Sequence, residues 1–595
     1  MKKIKLVLTC ILIALIFTVL AACNSSTDVP SDEQNPSAEA SSSQQDTESS
    51  DNISGDLNNL SIFSDGKYNC NIICSEVATD IEKDLYNKIR DKLKSITGVL
   101  PKYCTDFRPY NDSGEERAKP AILVGYTNYD ESSAVYNTLR CGECKIKVEG
   151  NKLVIAVASL QDATNAYIQF MSLLRNQTAE NLSIPLDVDM SKVSDKFLSR
   201  IPTYPYGRLQ ISNCGNDSYL IYANDASKSD AEAYKDKAID AGFTLRSERT
   251  VVDNVFYTLV NEQDYLYIYY KPNEKTVRAI AGPLNSLAAD DYSMDTGLVA
   301  EPSLTLVGQP EGSDIGQGYI FVLPDGRLII QDGGIKSSKK ADNVYKSVMA
   351  IAPDPENVII AAWFISHPHG DHQYAIEYFI ENHGSDDNIT IQNFVLNYAP
   401  SSMYDYKRED GGKENSGSHV TKIFNIISKH VPEANIVKPH TGQLLDFGSG
   451  ASVEILYTPE DYLPAELFDY VNSTSLVIRV VVEGTSVLLL ADTTHVSGRI
   501  MENAFGSYLK SDMVQLAHHG QFPSNSSLYK AVAAKVLLWP ANYASGNALI
   551  KQHGGVINTA LSYASDVYVS DSNLTTLPLP YVIINNKDNE LNKFN

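Results

Sequence analysis

Apolar and polar positions follow sharply different patterns along the chain. Lys2, Lys3 and Lys5 precede a nearly unbroken apolar run at residues 6–20. Residues 24–55 are rich in Ser, Asp, Glu and Gln, with almost no large apolar side chain, so they cannot bury enough surface to offset chain entropy and read as a flexible tether. From residue 59 the patterning becomes globular. Ile81, Leu85, Ile89 and Leu93 recur at helical spacing within residues 80–96. The run Ala121-Ile122-Leu123-Val124-Gly125 has the composition of a buried strand. Residues 144–148 and 152–156 flank Glu149-Gly150-Asn151 as a hairpin, and residues 162–175 are helical again. This succession predicts a small α/β accessory domain over residues 59–200. A second, over residues 201–300, carries a helix at 230–241 and a hairpin of 256–260 with 265–270. Tyr267, Tyr269 and Tyr270 form an aromatic stripe there, read as cross-strand packing in preference to a sugar platform. Residues 301–595 read as short strands with interspersed helices.

The N-terminus bears on the compartment. Leu20-Ala21-Ala22-Cys23 follows the apolar run and resembles the lipobox of bacterial lipoprotein signals. That resemblance implies a signal peptide over residues 1–23, lipidation of Cys23, a linker over residues 24–58, and a protein anchored at the extracellular face of the membrane. Cys70, Cys74, Cys104, Cys141, Cys144 and Cys214 follow, an even number that permits disulfides without fixing their pairing. The net charge of −24 argues against a protein built to coat nucleic acid or anionic lipid.

All 11 histidines lie between His367 and His553. The densest segment is His367-Pro368-His369-Gly370-Asp371-His372, which follows the apolar run 358–365 and precedes a helical pattern at 373–381. It is thus expected as a loop at a strand's C-terminal end, where α/β proteins place chemistry. Three imidazoles and a carboxylate supply the N and O donors suited to Zn²⁺, with Mn²⁺ as the alternative ion. His367 and His369 can face one metal, and Asp371 and His372 a second position. Further along, Asp332 ends a predicted hairpin that opens at Gly316-Gln317-Gly318. Asn472-Ser473-Thr474-Ser475 leads into a strand pair that ends at Asp492, and residues 513–517 end in His518-His519-Gly520. His440 and His495 have no assigned role and are expected at the surface.

The HxHxDH segment, the later Asp492 and the terminal His518-His519-Gly520 resemble the metallo-β-lactamase fold. The Gly316-Gln317-Gly318 opening and the Asn472 segment resemble most the hydrolase domain of ComEC-type competence proteins. The resemblance covers residues 310–545. It implies a four-layer αββα sandwich holding one or two Zn²⁺ ions, preceded by the two accessory domains. By the same resemblance His367, His369, Asp371 and His372 are ligands, Asp492 bridges, one of His518 and His519 completes the second site, and Asp332 orients ligands from behind. Asn472 stands where the broad family usually has a further histidine. Asp371 and Asp332 are thereby expected to be catalytic and Asn472 a substrate contact, and Tyr398, on the Gly/Ser-rich loop after the first metal motif, is a further candidate substrate contact. Tyr404 and Tyr406 join Tyr398 as candidates for the pocket lining.

A bound ion makes hydroxide available near neutral pH, so phosphodiester hydrolysis is the leading expectation, with Asp371 orienting the water or accepting its proton. Residues 301–595 carry 32 Asp+Glu against 19 Lys+Arg. The basic candidates are Lys336, Lys339 and Lys340, and Lys407, Arg408 and Lys413. A small phosphodiester or cell-wall-type substrate is therefore favoured over extended nucleic acid. The alternatives are hydrolysis of an acyl, lactone or β-lactam bond, and a carbohydrate- or solute-binding surface lipoprotein with a non-catalytic metal site.

Overall fold

A computed structural model describes residues 58–107, 114–207, 209–308, 316–334, 342–407, 412–464, 470–571 and 573–594. The signal peptide, Cys23, the tether as far as residue 57, Lys336, Lys339, Lys340 and Arg408 lie outside the described residues. No described helix is long and apolar enough to cross a membrane.

Residues 71–193 build a six-stranded sheet in the order Cys104–Thr105, Asn71–Cys74, Ala121–Val124, Lys152–Ala156, Glu143–Glu149, Asp189–Val193. Ala121–Val124 is buried at every position because both faces of this sheet are covered. Ala121 and Leu123 pack to one side, Ile122 and Val124 to the other. The predicted helix is Asp80–Thr97, started by a reciprocal capping box between Thr79 and Glu82 and closed by Gly98 in the left-handed region. The six cysteines of the described residues are all buried and unpaired.

Residues 209–283 form a six-stranded antiparallel sheet, in which Thr276–Pro283 and Asp264–Lys271 are central and Asn254–Val260 follows them. Its period-2 alternation has two destinations. Tyr257, Leu259, Leu266 and Ile268 pack under Ala231, Tyr234 and Ala238 of the helix Lys228–Asp240. Phe256, Tyr265, Tyr267 and Tyr269 point the other way, into the core shared with residues 301 onward. The stripe is therefore packing, but against another sheet system as well as across strands. The Tyr267 hydroxyl donates to Thr441 O at 2.9 Å, and that of Tyr269 to Asp461 Oδ1 at 3.0 Å. At Gly442 (φ 94°) an added Cβ would lie 2.3 Å from the Phe256 ring, a close approach that requires glycine.

From residue 303 two sheets stack. The first has the order Asn435–Val437, Asn393–Leu396, Val358–Ile365, Leu328–Asp332, Gly318–Val322, Ser303–Leu306, Thr575–Pro578. The second runs Leu444–Gly448, Ala451–Tyr457, Val477–Val482, Thr485–Leu489, Met513–Gln515, Val536–Trp539, Asp566–Val569. One apolar cluster, including Phe321, Ile329 and Phe364 from the first sheet and Val453, Ile478, Val487 and Leu538 from the second, contains no helix residue and is the inter-sheet core. The alternate residues face outward under helices. Ile330, Trp363 and Phe394 lie with Ile376 and Phe379 of Gly370–His383 and Ile423 of Gly417–His430. Leu488, Val514 and Leu537 lie with Met501 of His495–Phe505 and Ile557 of Tyr543–Tyr563. The layer order is helix, sheet, sheet, helix, the predicted αββα sandwich. Leu328–Asp332 and Val358–Ile365 are parallel, as are Thr485–Leu489 and Met513–Gln515. The C-terminal ends of these four strands lead into the candidate site.

Candidate metal centre

Each candidate side chain leaves the end of one of those strands. Val358–Ile365 delivers Ser366 and His367. The chain then enters the helix Gly370–His383, so Asp371 and His372 occupy its first turn, three residues earlier than the sequence pattern placed the helix start. An acidic residue is stabilised at that end by the exposed backbone N–H groups. Leu328–Asp332 ends at Asp332, Asp492 follows Thr485–Leu489, and His518 and His519 follow Met513–Gln515.

Two triads that could hold a metal ion emerge among the described residues: His367, His372 and Asp492, and Asp371, His372 and His519. His372 Nε2 lies 3.1 Å from Asp492 Oδ1, and His519 Nε2 lies 3.4 Å from Asp371 Oδ2 and 3.5 Å from Asp492 Oδ1. His369 joins at the edge, its Nδ1 3.1 Å from His367 Nε2. The sequence left His518 and His519 unresolved. The structure puts His519 in the triad with Asp371, whereas His518 Nε2 sits 3.1 Å from Asn472 Nδ2 and 3.7 Å from Asp492 Oδ2.

Whether this donor set fits a metal can be judged from the atoms left without partners. His372 Nε2, His519 Nε2 and Asp492 Oδ1 are buried, converge on one another, and make no hydrogen bond within the described residues. Their opposite ends are engaged: His372 Nδ1 with Asp332 Oδ2 at 2.8 Å, and His519 Nδ1 with Pro540 O at 2.9 Å. An imidazole donating through Nδ1 presents its Nε2 lone pair, the arrangement of a metal-ligating histidine. Buried polar atoms left unpaired cost roughly 1–3 kcal/mol each. A divalent cation satisfies all three at once, so the residues fit the group.

The electrostatics point the same way. Burial alone would lower His372, yet the Asp492 and Asp332 carboxylates raise it well above the usual imidazole range. Burial and the neighbouring His372 push His367 well below that range. Burial opposes ionisation of Asp371 and Asp492, but His519 and His372 around the first, and His372, His519 and His518 around the second, hold both well below the ordinary carboxylate value. The carboxylates thus favour positive charge at this spot, which a metal ion would supply. The backbone is strained here too. Asp332 (φ 55°), Ala491 (φ 48°), His518 (φ 49°) and His519 (φ 56°) all lie in the left-handed region, at a cost on the order of 1–3 kcal/mol apiece that surrounding structure must hold in place.

Asp332 is fully buried behind the triads. Its carboxylate accepts from Ser366 N and Ser366 Oγ at 2.8 Å each and from Gln317 Nε2 at 3.1 Å, besides contacting His372. It holds His372 and does not reach the cleft. Asp332→Asn is therefore expected to weaken metal affinity by about 10–100-fold, as read by competition with a chelator. Unchanged affinity would remove Asp332 from the site.

Not every expected residue reaches the cleft. Tyr398 is 1% exposed, its hydroxyl donating to Gln373 Oε1 at 2.8 Å, so it is core and does not line the pocket. Tyr404 is likewise fully buried. The half-buried Tyr406 has its hydroxyl accepting from Val471 N at 3.0 Å. Asn472 is fully buried, its amide donating to Asp492 Oδ2 at 3.2 Å, so it holds the ligand set from beneath. His495 is exposed as expected. His440 is not: it is buried between Glu460 Oε2 at 2.9 Å and the Tyr265 hydroxyl at 3.0 Å. Both of its ring nitrogens therefore have a partner in the core.

A cleft of about 450 Å³ opens over the centre. Its floor includes His369, Asp371, Asp492 and His518, and Tyr374 and Tyr470 contribute to its walls. These two tyrosines were missed in the sequence; nothing in their spacing distinguishes them from Tyr398. Lys413 from the short strand Lys413–Asn415 stands at the mouth with Glu414 and His419.

No protein-family model matches the chain, and neither does any curated protein. Solved structures do. The chain is 14% identical to a mutant of CmlA β-hydroxylase, with 47% of this chain and 55% of that one covered and a TM-score of 0.28. It is 10% identical to Zn²⁺-bound PqqB from Methylobacterium extorquens, with 46% of this chain and 99% of that one covered and a TM-score of 0.29. The chain thus spans about half the length of the first of these, at 55%. The αββα sandwich rests on this protein's own strand order and its two-sided core.

Proposed function

We propose that this protein is a metal-dependent hydrolase of the metallo-β-lactamase superfamily, similar to the ComEC-type hydrolase domains, that cleaves small phosphodiesters. It would work at the extracellular face of the membrane, tethered through a lipid on Cys23. The observation that carries the catalytic part is the convergence of His372 Nε2, His519 Nε2 and Asp492 Oδ1, each buried and without a hydrogen bond among the described residues, beneath an open cleft. A divalent ion held there, Zn²⁺ or Mn²⁺, would supply Lewis-acid charge and lower the pKa of water into the neutral range.

The chain's own groups take the remaining roles. Asp371 is 16% exposed at its side chain and lies on the cleft floor, so its carboxylate can accept a hydrogen bond from a water and orient it. His518, beside Asp492 and facing the cleft, is placed to bind an oxygen of the substrate. Tyr374 and Tyr470 narrow the entrance. Lys413 is the one cation bordering the cleft among its described residues, which suits one phosphodiester charge and leaves no track for a long polyanion. A cleft of about 450 Å³ is likewise of small-molecule size.

The test is metal content of the chain from residue 56 onward, with bis-p-nitrophenyl phosphate turnover measured on the same samples, beside His369→Ala. Near-stoichiometric metal together with turnover, both falling in the variant, is the expected result. Metal without turnover of the diester would overturn the phosphodiesterase assignment, and absence of metal after reconstitution would overturn the hydrolase assignment as a whole.

A further inference from the structure

A second cavity, of about 810 Å³, lies where the segments around residues 126–140 meet residues 202–206 and the helix Lys228–Asp240. It takes no part in the metal centre. Arg140 and Lys237 line it, brought from different parts of the chain. Neither cation is neutralised in place. Lys237 Nζ donates to two uncharged acceptors, Tyr136 O and Thr203 Oγ1, each at 2.9 Å. Arg140 Nη1 is buried with no acceptor within the described residues. The two carboxylates that line the same cavity are Asp236, whose partner is Lys235 at 3.5 Å, and Asp240. Burial brings Lys237 down to about 8 and the Arg140 guanidinium adds to the effect, so at neutral pH two mutually repelling positive charges share one cavity.

We infer that this cavity binds a sugar acid, a polyhydroxylated ligand whose carboxylate is received by Arg140 and Lys237. A carboxylate there removes the repulsion and accepts from the two cations, and charge-assisted bonds of this kind are roughly twice as strong as neutral ones. The remaining lining suits the rest of such a molecule. Asp236 and Asp240 can accept from hydroxyl groups, Asn137 can donate and accept, and Tyr126 and Tyr206 add aromatic surface for the C–H groups of a pyranose. A bare inorganic anion would leave those acceptors and rings unused. The site is independent of the proposed hydrolysis.

Calorimetric titration of the full chain with glucuronate, with glucose and with inorganic phosphate tests the inference. Glucuronate is expected to bind at least about tenfold tighter than either of the others. Arg140→Gln and Lys237→Gln should each lose at least about tenfold of that affinity, with turnover at the metal centre unchanged. The unligated melting midpoint of each variant checks folding, and Arg140, which is half-buried, keeps the test available if Lys237→Gln does not fold. Glucose binding as well as glucuronate, phosphate binding as well as glucuronate, no binding of any probe, or affinity untouched in a folded variant would each overturn the inference.

Discussion

Asp492→Asn is expected to abolish stable metal binding and to lower diester turnover by at least about a thousandfold, the order seen when one member of a catalytic unit is removed. Both carboxylate oxygens face imidazoles. Oδ1 lies 3.1 Å from His372 and 3.5 Å from His519, and Oδ2 lies 3.7 Å from His367 and 3.7 Å from His518. No other carboxylate of the described residues stands between both triads, so nothing substitutes for it. The asparagine keeps the shape and removes the charge, which separates electrostatics from packing. The amide of Asn472, now donating to Oδ2, would meet either an oxygen or an NH₂ and can adapt by rotation. Metal content, turnover and melting midpoint should be measured with and without a chelator. In the parent protein the chelator should lower the midpoint, because an ion bound only by the folded state stabilises it. In Asp492→Asn the midpoint should not respond. Stoichiometric metal in the variant would sink the bridging role.

Part of this site was legible in the sequence because its signal is local. His367, His369, Asp371 and His372 fall within six consecutive positions after an apolar run, and the strand end before them is visible as composition. Asp332, Asp492 and the His518-His519 pair were likewise marked by their places after short apolar runs. The four-layer sandwich was implied by the family resemblance, and the strands fit it because each divides its side chains between the inter-sheet core and the helix layers. What stayed hidden depends on contacts far apart in the chain. Tyr398 and Tyr374 have the same local polarity, yet one is fixed by Gln373 in the core and the other looks into the cleft. His440 has the neighbours of a loop residue, and is buried because Glu460 and Tyr265 meet it from 20 and 175 residues away. The roles of His518 and His519 were undecidable because both adopt left-handed backbone, which alternation rules do not describe.

The same long-range logic governs the seam between the 209–283 sheet and the sandwich, where Asp461→Ala is expected to destabilise the fold by roughly 3–5 kcal/mol. Asp461 is buried and ties the two together. Its Oδ1 lies 2.7 Å from Lys271 Nζ and accepts from the Tyr269 hydroxyl at 3.0 Å, and its Oδ2 accepts from Thr441 Oγ1 at 2.5 Å. Lys271 is itself 3% exposed at its side chain, and its other carboxylate neighbour, Glu274, stands 3.5 Å away. Arg278 is buried alongside, donating to the carbonyls of Glu460 and Leu463. Alanine would therefore leave a buried ammonium whose remaining counter-ion is the partly exposed Glu274, 3.5 Å away. Desolvation makes that costlier than any surface pair, whose loss is worth about 0–1 kcal/mol. The pH dependence has a definite sign. Burial opposes ionisation of Asp461, but Lys271 and Arg278 outweigh it and hold the carboxyl below the usual aspartate value. Its contribution to stability is complete above that unfolded-state value, near pH 4, and is lost as pH falls through the lower folded-state value. Denaturant titrations of the parent at pH 7 and near pH 3 should thus differ by more than those of Asp461→Ala. A variant as stable as the parent at pH 7, or one with the same acid sensitivity, would show that the seam is held by the packing of Phe256, Tyr265, Tyr267 and Tyr269 alone.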